Sequence, residues 1–186
     1  DGTSAGTVLL KDLNPSGTSD PESFGVGNGK IFFSANDGYN GQELWVSDGT
    51  ANGTIMARDI VPGPEKSIPG RKFGASGRVF FSAKPVVQPD RFDDWLLFTS
   101  TGAAGSTQQI GPSNLRISGD GLRGMTDFGA CSFGNKLYFM AHDGSEYIEV
   151  QNGDPNGSPI RHYKHDLWIT DGTTAGTQRL TSYSFS

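Results

Sequence analysis

The chain has 186 residues, 27 of them glycine and one cysteine, and a formal net charge of -5. One cysteine excludes an intramolecular disulfide and a multi-thiolate zinc site, the lack of a basic cluster argues against a nucleic-acid partner, and no apolar run of about 20 residues exists to span a membrane as a helix. Abundant glycine with modest apolar content, and no stretch of sustained 3.6-residue periodicity, suit many short strands joined by tight turns.

The chain opens on a polar turn, Asp1-Gly-Thr-Ser-Ala-Gly-Thr7, and Thr7-Val-Leu-Leu-Lys-Asp-Leu13 reads as a strand leaving it. Turn and strand return at Asp48 with Thr54 to Ile60, at about Ser100 with Thr107 to Ile110, and at Asp171 with Thr177 to Leu180. Ahead of each later turn the same strands recur. Phe24-Gly-Val26, Phe73-Gly-Ala75 and Phe128-Gly-Ala130 come first, with an in-strand glycine that marks close backbone approach or a bend. Hairpin signals follow at Asn28-Gly29, Ser76-Gly77 and Gly134-Asn135. Ile31-Phe-Phe-Ser-Ala35, Val79-Phe-Phe-Ser-Ala83 and Leu137-Tyr-Phe-Met-Ala141 match position by position, and both of their faces are apolar, so these strands are expected to be covered on both sides. The last strand of each set is Leu44-Trp-Val46, Leu96-Leu-Phe98 or Leu167-Trp-Ile169. Trp45 and Trp168 share one repeat position and are expected in the core; Trp95 lies outside that register and is expected to be exposed. Cys131 is expected as a small buried hydrophobe.

Short strands repeating in this way predict an all-β fold: a β-propeller-like array of four-stranded antiparallel blades, three blades plus one extra rim strand. The blades are expected at about 21–60, 70–111 and 125–181, within a single repeat domain. Residues 1–13 are left as an orphan rim strand that completes a blade outside the chain, in a second copy or in an upstream part of a longer protein of which this chain, starting in mid-motif, is a fragment. The connection into the last strand of each set varies most, from Asn36–Glu43 to Lys84–Asp94 to His142–Asp166, and variable loops gather on one face of a repeat, often the binding face.

Leu44-Trp-Val-Ser-Asp-Gly-Thr50 and Leu167-Trp-Ile-Thr-Asp-Gly-Thr173, each followed by Gly-Thr, resemble the Glu-Leu-Trp-x-x-Asp-Gly-Thr repeat of large extracellular or cell-surface proteins, mostly bacterial. The resemblance covers nearly the whole chain, implies a secreted or cell-surface repeat scaffold and implies no catalytic residues. The second unit departs from it, with Ser100-Thr-Gly in place of Asp-Gly-Thr. A weaker resemblance links the turn to the Asp-box hairpin of sialidase-type propellers, where the box is structural.

Asp1, Asp48 and Asp171 are expected to cap their own turns, because a short carboxylate accepts from backbone N–H groups two or three residues on. The competing reading is calcium in the oxygen-rich loop Asn36-Asp-Gly-Tyr-Asn-Gly-Gln-Glu43, which lacks the spacing of a known calcium loop; no other metal or cofactor is expected. His142, His162 and His165 lie in or beside the longest connection, and two histidines at 162 and 165 without a third ligand make a poor zinc site. Arg161, His162, Tyr163 and Lys164 form a local basic and aromatic cluster, the first choice with His165 for a partner contact. Trp95, beside Phe92, Asp93 and Asp94, is a candidate for stacking on a sugar, although adjacent carboxylates do not make a glycosidase pair. No nucleophile elbow, phosphate loop or zinc-protease motif occurs. Asn52 and Asn156 fit the glycosylation pattern, and Asn52, in a tight turn, is the better candidate. The expected function is a non-enzymatic extracellular scaffold that mediates protein–protein assembly with other subunits or a second copy; the alternatives are a glycan-binding propeller module and, behind it, a sialidase-like hydrolase.

Overall fold

A computed structural model describes residues 2–85, 95–117, 129–149 and 160–181. Among them there are fifteen strands and no helix. β1 (Glu22–Gly27), β2 (Lys30–Asn36), β3 (Gln42–Ser47) and β4 (Ile55–Arg58) form an antiparallel sheet in sequence order. β5 (Phe73–Ala75), β6 (Arg78–Ala83), β7 (Leu96–Ser100) and β8 (Gln108–Gln109) repeat that order. In the third sheet β9 (Arg116–Ile117) pairs with the end of β11 (Lys136–His142), which follows β10 (Ala130–Phe133). β12 (Glu146–Glu149) and β13 (Ile160–Tyr163) make a separate hairpin, and β14 (Asp166–Thr170) and β15 (Gln178–Arg179) complete the sheet. The longest connection, read from sequence as a loop, therefore holds a two-stranded ribbon. Its alternating Glu146-Tyr-Ile-Glu149 pairs with Ile160–Tyr163, and the Lys164 N–H donates to the Ser145 carbonyl at 2.8 Å.

The turns chosen by sequence set the hairpins. Asn28 and Gly29 (φ 52° and 69°) and Ser76 and Gly77 (52° and 66°) both take positive φ, the type I′ pattern whose twist matches that of the strands. In the third hairpin Gly134 alone has positive φ, as a type II′ turn requires. The central ladders then repeat in register: Phe33 faces Trp45, Phe81 faces Phe98 and Phe139 faces Trp168. The Phe-Gly strands do not repeat in register. Gly25 lies opposite Phe32, whereas Gly74 lies opposite Val79, one place along, and Phe128 is outside the described residues. The slip, with an irregularity in β1 between Glu22 and Gly25, turns Phe24 onto the Phe33 face of its sheet, while Phe73 packs into the core between the second and third sheets.

The sheets pack face to face, each in the same sense. Phe32, Leu44 and Val46 of the first lie against Val79, Phe81, Ala83 and Phe98 of the second. Phe80 and Leu97 of the second lie against Leu137, Phe139, Ala141 and Trp168 of the third. The middle sheet is covered on both faces, as expected. β11 is not: Leu137, Phe139 and Ala141 are buried, but Met140 is 42% exposed, because among the described residues no sheet lies on that side. Cys131, expected to be buried, is exposed on the same free face, opposite Tyr138. The first strands approach so closely that a Cβ on Gly27 would meet the Arg78 backbone and one on Gly74 the Val26 carbonyl. The in-strand glycines mark this approach. Among the described residues, 7–13 join no ladder, and Leu9 is 81% exposed.

Candidate functional site

The Asp-Gly-Thr turns are closed hydrogen-bond circuits. Asp48 Oδ1 accepts from the Thr50 N–H (2.9 Å) and hydroxyl (2.7 Å), Thr50 Oγ1 accepts from the Gly53 N–H (2.9 Å), and Thr54 Oγ1 donates to the Thr50 carbonyl (2.7 Å). The turn at Asp171 repeats these bonds with Thr173, Gly176 and Thr177 at 2.7–2.9 Å. Hydrogen bonding from the threonine hydroxyl, then from its N–H, holds both aspartate carboxyls below the usual range. Asp1 lies outside the described residues, yet the rest of its turn keeps two of the bonds: Gly6 N–H to Thr3 Oγ1 (3.0 Å) and Thr7 Oγ1 to the Thr3 carbonyl (2.9 Å). The ladder corrects the alignment of the second turn. Ser100 faces Val79 as Ser47 faces Ile31, so Thr101, not Ser100, stands in the place of the aspartate. Asn52 is exposed at the tip of the first turn.

Glu43 has a role that the sequence reading missed. It is wholly buried at the start of β3 and accepts from the N–H groups of Ile60 (2.8 Å), Val61 (3.4 Å) and Ser67 (3.0 Å) and from the Ser67 hydroxyl (2.6 Å). Burial pushes its carboxyl above the usual range against the pull of those bonds. The Glu of Glu-Leu-Trp thus ties the loop after one sheet to the approach to the next. Asp166 holds the same ladder position in the third sheet, opposite Ala141, and meets Arg179 at 3.4 Å. The recurrence of an acid before Leu-Trp was the signal that could have found it.

The loop Asn36–Glu43 spends its oxygens on itself. Asn36 Oδ1 accepts from the Gly38 N–H (2.7 Å); Asp37 accepts from the Tyr39 and Asn40 N–H groups (2.9 and 2.8 Å) and from Asn40 Nδ2 (2.8 Å). Burial alone would raise the Asp37 carboxyl, but these bonds hold it low. Asp20, Asn36, Gly41, Gln42, Pro64 and Lys66 line a cavity of about 160 Å³ beside the loop. That is smaller than the roughly 300–1,000 Å³ of small-molecule sites. Among the described residues no three His, Cys, Asp or Glu side chains converge as a metal site would require.

At the equivalent end of the third sheet the structure brings His142, Tyr163 and His165 together. The rings of His142 and Tyr163 stack at 4.2 Å, and His165 meets His142 edge-on at 5.4 Å. His142 is buried and accepts the Gly144 N–H at Nδ1, whereas His165 is exposed. Arg179 bridges Asp143 (3.1 Å) and Asp166 beside this stack, and Asp143 is held low first by the Ser145 hydroxyl. Arg161 and His162 sit on the same ribbon by register, opposite Ile148 and Tyr147. Trp95 is not part of any such surface. It is 5% exposed in the core between the second and third sheets, its carbonyl accepts the Ile117 N–H, and Lys84 Nζ lies 5.3 Å from its ring centre. A tryptophan at this junction is drawn in by apolar area whatever its repeat register. Phe92, Asp93, Asp94 and Asn156 lie outside the described residues.

Lys72 is a second feature missed from sequence. Its Nζ donates to Ser34 Oγ (2.5 Å) and to the Pro69 carbonyl (3.0 Å), and burial pushes its pKa down to about 7, the Glu22 charge opposing. A serine beside a lysine is the composition of a nucleophile and its base. Ser34 is wholly buried, however, and its hydroxyl donates to the Pro69 carbonyl, so the pair fastens the first sheet to the approach to the second.

No family model matches the chain, and no curated protein matches it. Among solved structures the chain is similar to an alpha-L-arabinofuranosidase of Clostridium thermocellum, with 15% identity over 87% of this chain and 50% of that one, at a TM-score of 0.33. The chain thus spans half the length of that enzyme, and a likeness this slight assigns no activity. The class that fold and site define is an all-β repeat protein of antiparallel sheets, and among the described residues no helix is long and apolar enough to cross a membrane.

Proposed function

We propose that the chain is a non-enzymatic repeat scaffold of an extracellular or cell-surface assembly. The three sheets act as blades of a propeller-like array, at about 21–60, 70–111 and 125–181, and residues 2–13 serve as the rim strand of a further blade. The observation that carries this reading is where the recurrent acids are spent. Asp48, Asp171 and Glu43 hold turns and inter-sheet loops through their own backbone neighbours, which leaves them as parts of the frame. The Leu-Trp-x-x-Asp-Gly-Thr turns support the location. Purified chain is expected to hydrolyse no aryl glycoside and to hold no sugar on a glycan array; turnover lost in a variant that still folds would sink the reading.

One observation favours a second reading, a glycan-binding module. The His142–Tyr163 stack, with Tyr163 half-buried beside the Asp143–Arg179 pair, combines an aromatic face with hydrogen-bonding groups. Array binding that disappears in Tyr163→Ala would put this reading first.

A further inference from the structure

We propose that two copies of this chain close head to tail: the free face of one copy's third sheet seats against the exposed Ile31 end of the partner's first sheet, with Lys136 donating to the partner's Gly49 carbonyl. The inference rests on the propeller-like reading and names the partner that completes it. Both internal junctions are built from the same parts. The first residue of the second strand in one sheet is basic and donates to the turn glycine of the next: Lys30 Nζ to the Gly102 carbonyl and Arg78 Nη1 to the Gly172 carbonyl, both at 3.0 Å. The third member of the series is Lys136, which is exposed, and the remaining turn glycine is Gly49. Gly102 and Gly172 are buried and a Cβ on either would meet the sheet before it; Gly49 is exposed, with nothing within 4 Å.

The apolar faces tell the same story. At a junction one sheet offers the face of Phe32, Leu44 and Val46, and the next offers the face of Val79, Phe81 and Phe98. The third sheet's copy of the first face, with Tyr138, Met140, Leu167 and Ile169, is open, as is the part of the first sheet's copy of the second face at Ile31, which is 43% exposed where Val79 is fully buried. The chain therefore carries one open half of a junction and, at Ile31, part of the other, whose Phe33, Ala35 and Trp45 are already buried, and the three sheets of this kind among the described residues are too few for a ring of the usual 4 to 8. Two copies supply six. Such a contact is heterologous, with one surface meeting a different one, and two of them close the pair.

Residues 7–13 fit the same place. Lys11 Nζ donates to the Thr54 carbonyl as Arg58 does to the Thr107 carbonyl, both at 2.6 Å, and Leu13 packs against the core of Phe33, Ala35 and Trp45. The segment lies where the rim strand of a preceding sheet belongs. In the closed pair Leu9 and Val8 displace β15 and oppose the partner's Trp168 and the partner's Ile169, the places that Arg179 and Gln178 hold through only two pairs in the single chain.

Sedimentation equilibrium of the 186-residue chain is expected to show a dimer at micromolar concentration. Lys136→Glu and Met140→Asp are expected to weaken it at least tenfold, as is Ile31→Asp on the opposite face, all with unchanged circular dichroism. Mixing Met140→Asp with Ile31→Asp restores one intact junction, so the mixture is expected to form heterodimers where neither variant self-associates. A monomer at 100 micromolar overturns the proposal, as does a dimer indifferent to these substitutions. Either result leaves the scaffold reading standing if glycan and substrate binding stay absent, and glycan binding by an intact dimer would sink that reading alone.

Discussion

The first and second sheets do the same job with different chemistry. The first starts its third strand with buried Glu43 and closes on Asp48-Gly-Thr; the second has Leu96 and Thr101-Gly-Ala at the same places. Both strands are buried, and both turns keep the inner hydroxyl pair, Ser47 with Thr54 at 2.7 Å and Ser100 with Thr107 at 2.9 Å. What differs is the outer shell of each turn. Without the aspartate, Ser106 takes over, donating to the Ala103 carbonyl at 2.7 Å and accepting from the Thr101 N–H at 3.2 Å. The strands and the inner hydroxyl pair are thus the common frame, and the acids are one of two ways to finish it.

The largest break in this comparison is expected at Glu43. Glu43→Ala leaves the N–H groups of residues 60 and 61 short of an acceptor in a buried junction, while the Ser67 N–H keeps the Gln42 carbonyl, and it should cost about 3–5 kcal/mol in urea unfolding. The matching change at Leu96, Leu96→Ala, removes only half-buried apolar area and should cost about 1–2 kcal/mol. The pH dependence follows from the direction of the shift. A carboxyl raised above 4.5 in the folded chain binds its proton more tightly there, so this group's share of stability falls as pH rises from 4.5 through the folded value. Glu43→Gln removes that slope.

Lys72 belongs to the first junction, where its Nζ ties the second sheet's approach to Ser34 and the Pro69 carbonyl. With a folded pKa of about 7 and an unfolded one near 10.5, the unfolded chain binds more protons between those values, and stability should rise with pH across that window. Lys72→Met should add about 2 kcal/mol at pH 6 and flatten the rise. A loss of stability at pH 6 would show that the Ser34 bond outweighs the burial.

The strands and turns were legible because their signals are local. The continuous apolar run Ile31–Ala35 and positive φ at Asn28-Gly29 need no partner to be recognised. What was missed depends on distant groups. Glu43 reads as one more polar residue until Ile60 and Ser67 are brought to it; Trp95 reads as exposed until Ile117 and Leu115 cover it. The irregularity in β1 shifted the Phe-Gly match by one place, and one place changes the face. Of the candidate surface, the clustering of His142, Tyr163 and His165 depends on the β12–β13 ribbon, which the sequence reading took for a loop.

Within the turns, Asp48 and Gly53 are a matched pair. A Cβ on Gly53 would run into the Asp48 carboxylate, and Gly176 stands against Asp171 in the same way. Where threonine replaces the aspartate, serine replaces the glycine. Gly53→Ser should therefore cost about 1–2 kcal/mol in the parent, and less in a chain that also carries Asp48→Thr. A double-mutant cycle should return a coupling of about 1 kcal/mol, and additive costs would mean that the match is accidental.

The smallest effect tests the charge alone. Asp48→Asn keeps an acceptor for the Thr50 N–H and hydroxyl and removes only the ionisation. The carboxyl lies below 3.8 in the folded chain, so its contribution is present above 3.8 and lost as pH falls through the folded value. At pH 7 the variant should melt slightly below the parent, and the gap should close as pH falls through the folded value. Asp171→Asn should behave alike, because its turn has the same bonds. The second sheet supplies the control within the same molecule: Thr101→Asn changes no charge, so its melting difference from the parent should not vary with pH. If Asp48→Asn is equally flat in pH, the turns hold by geometry rather than charge, and the acid and acid-free turns differ only in shape.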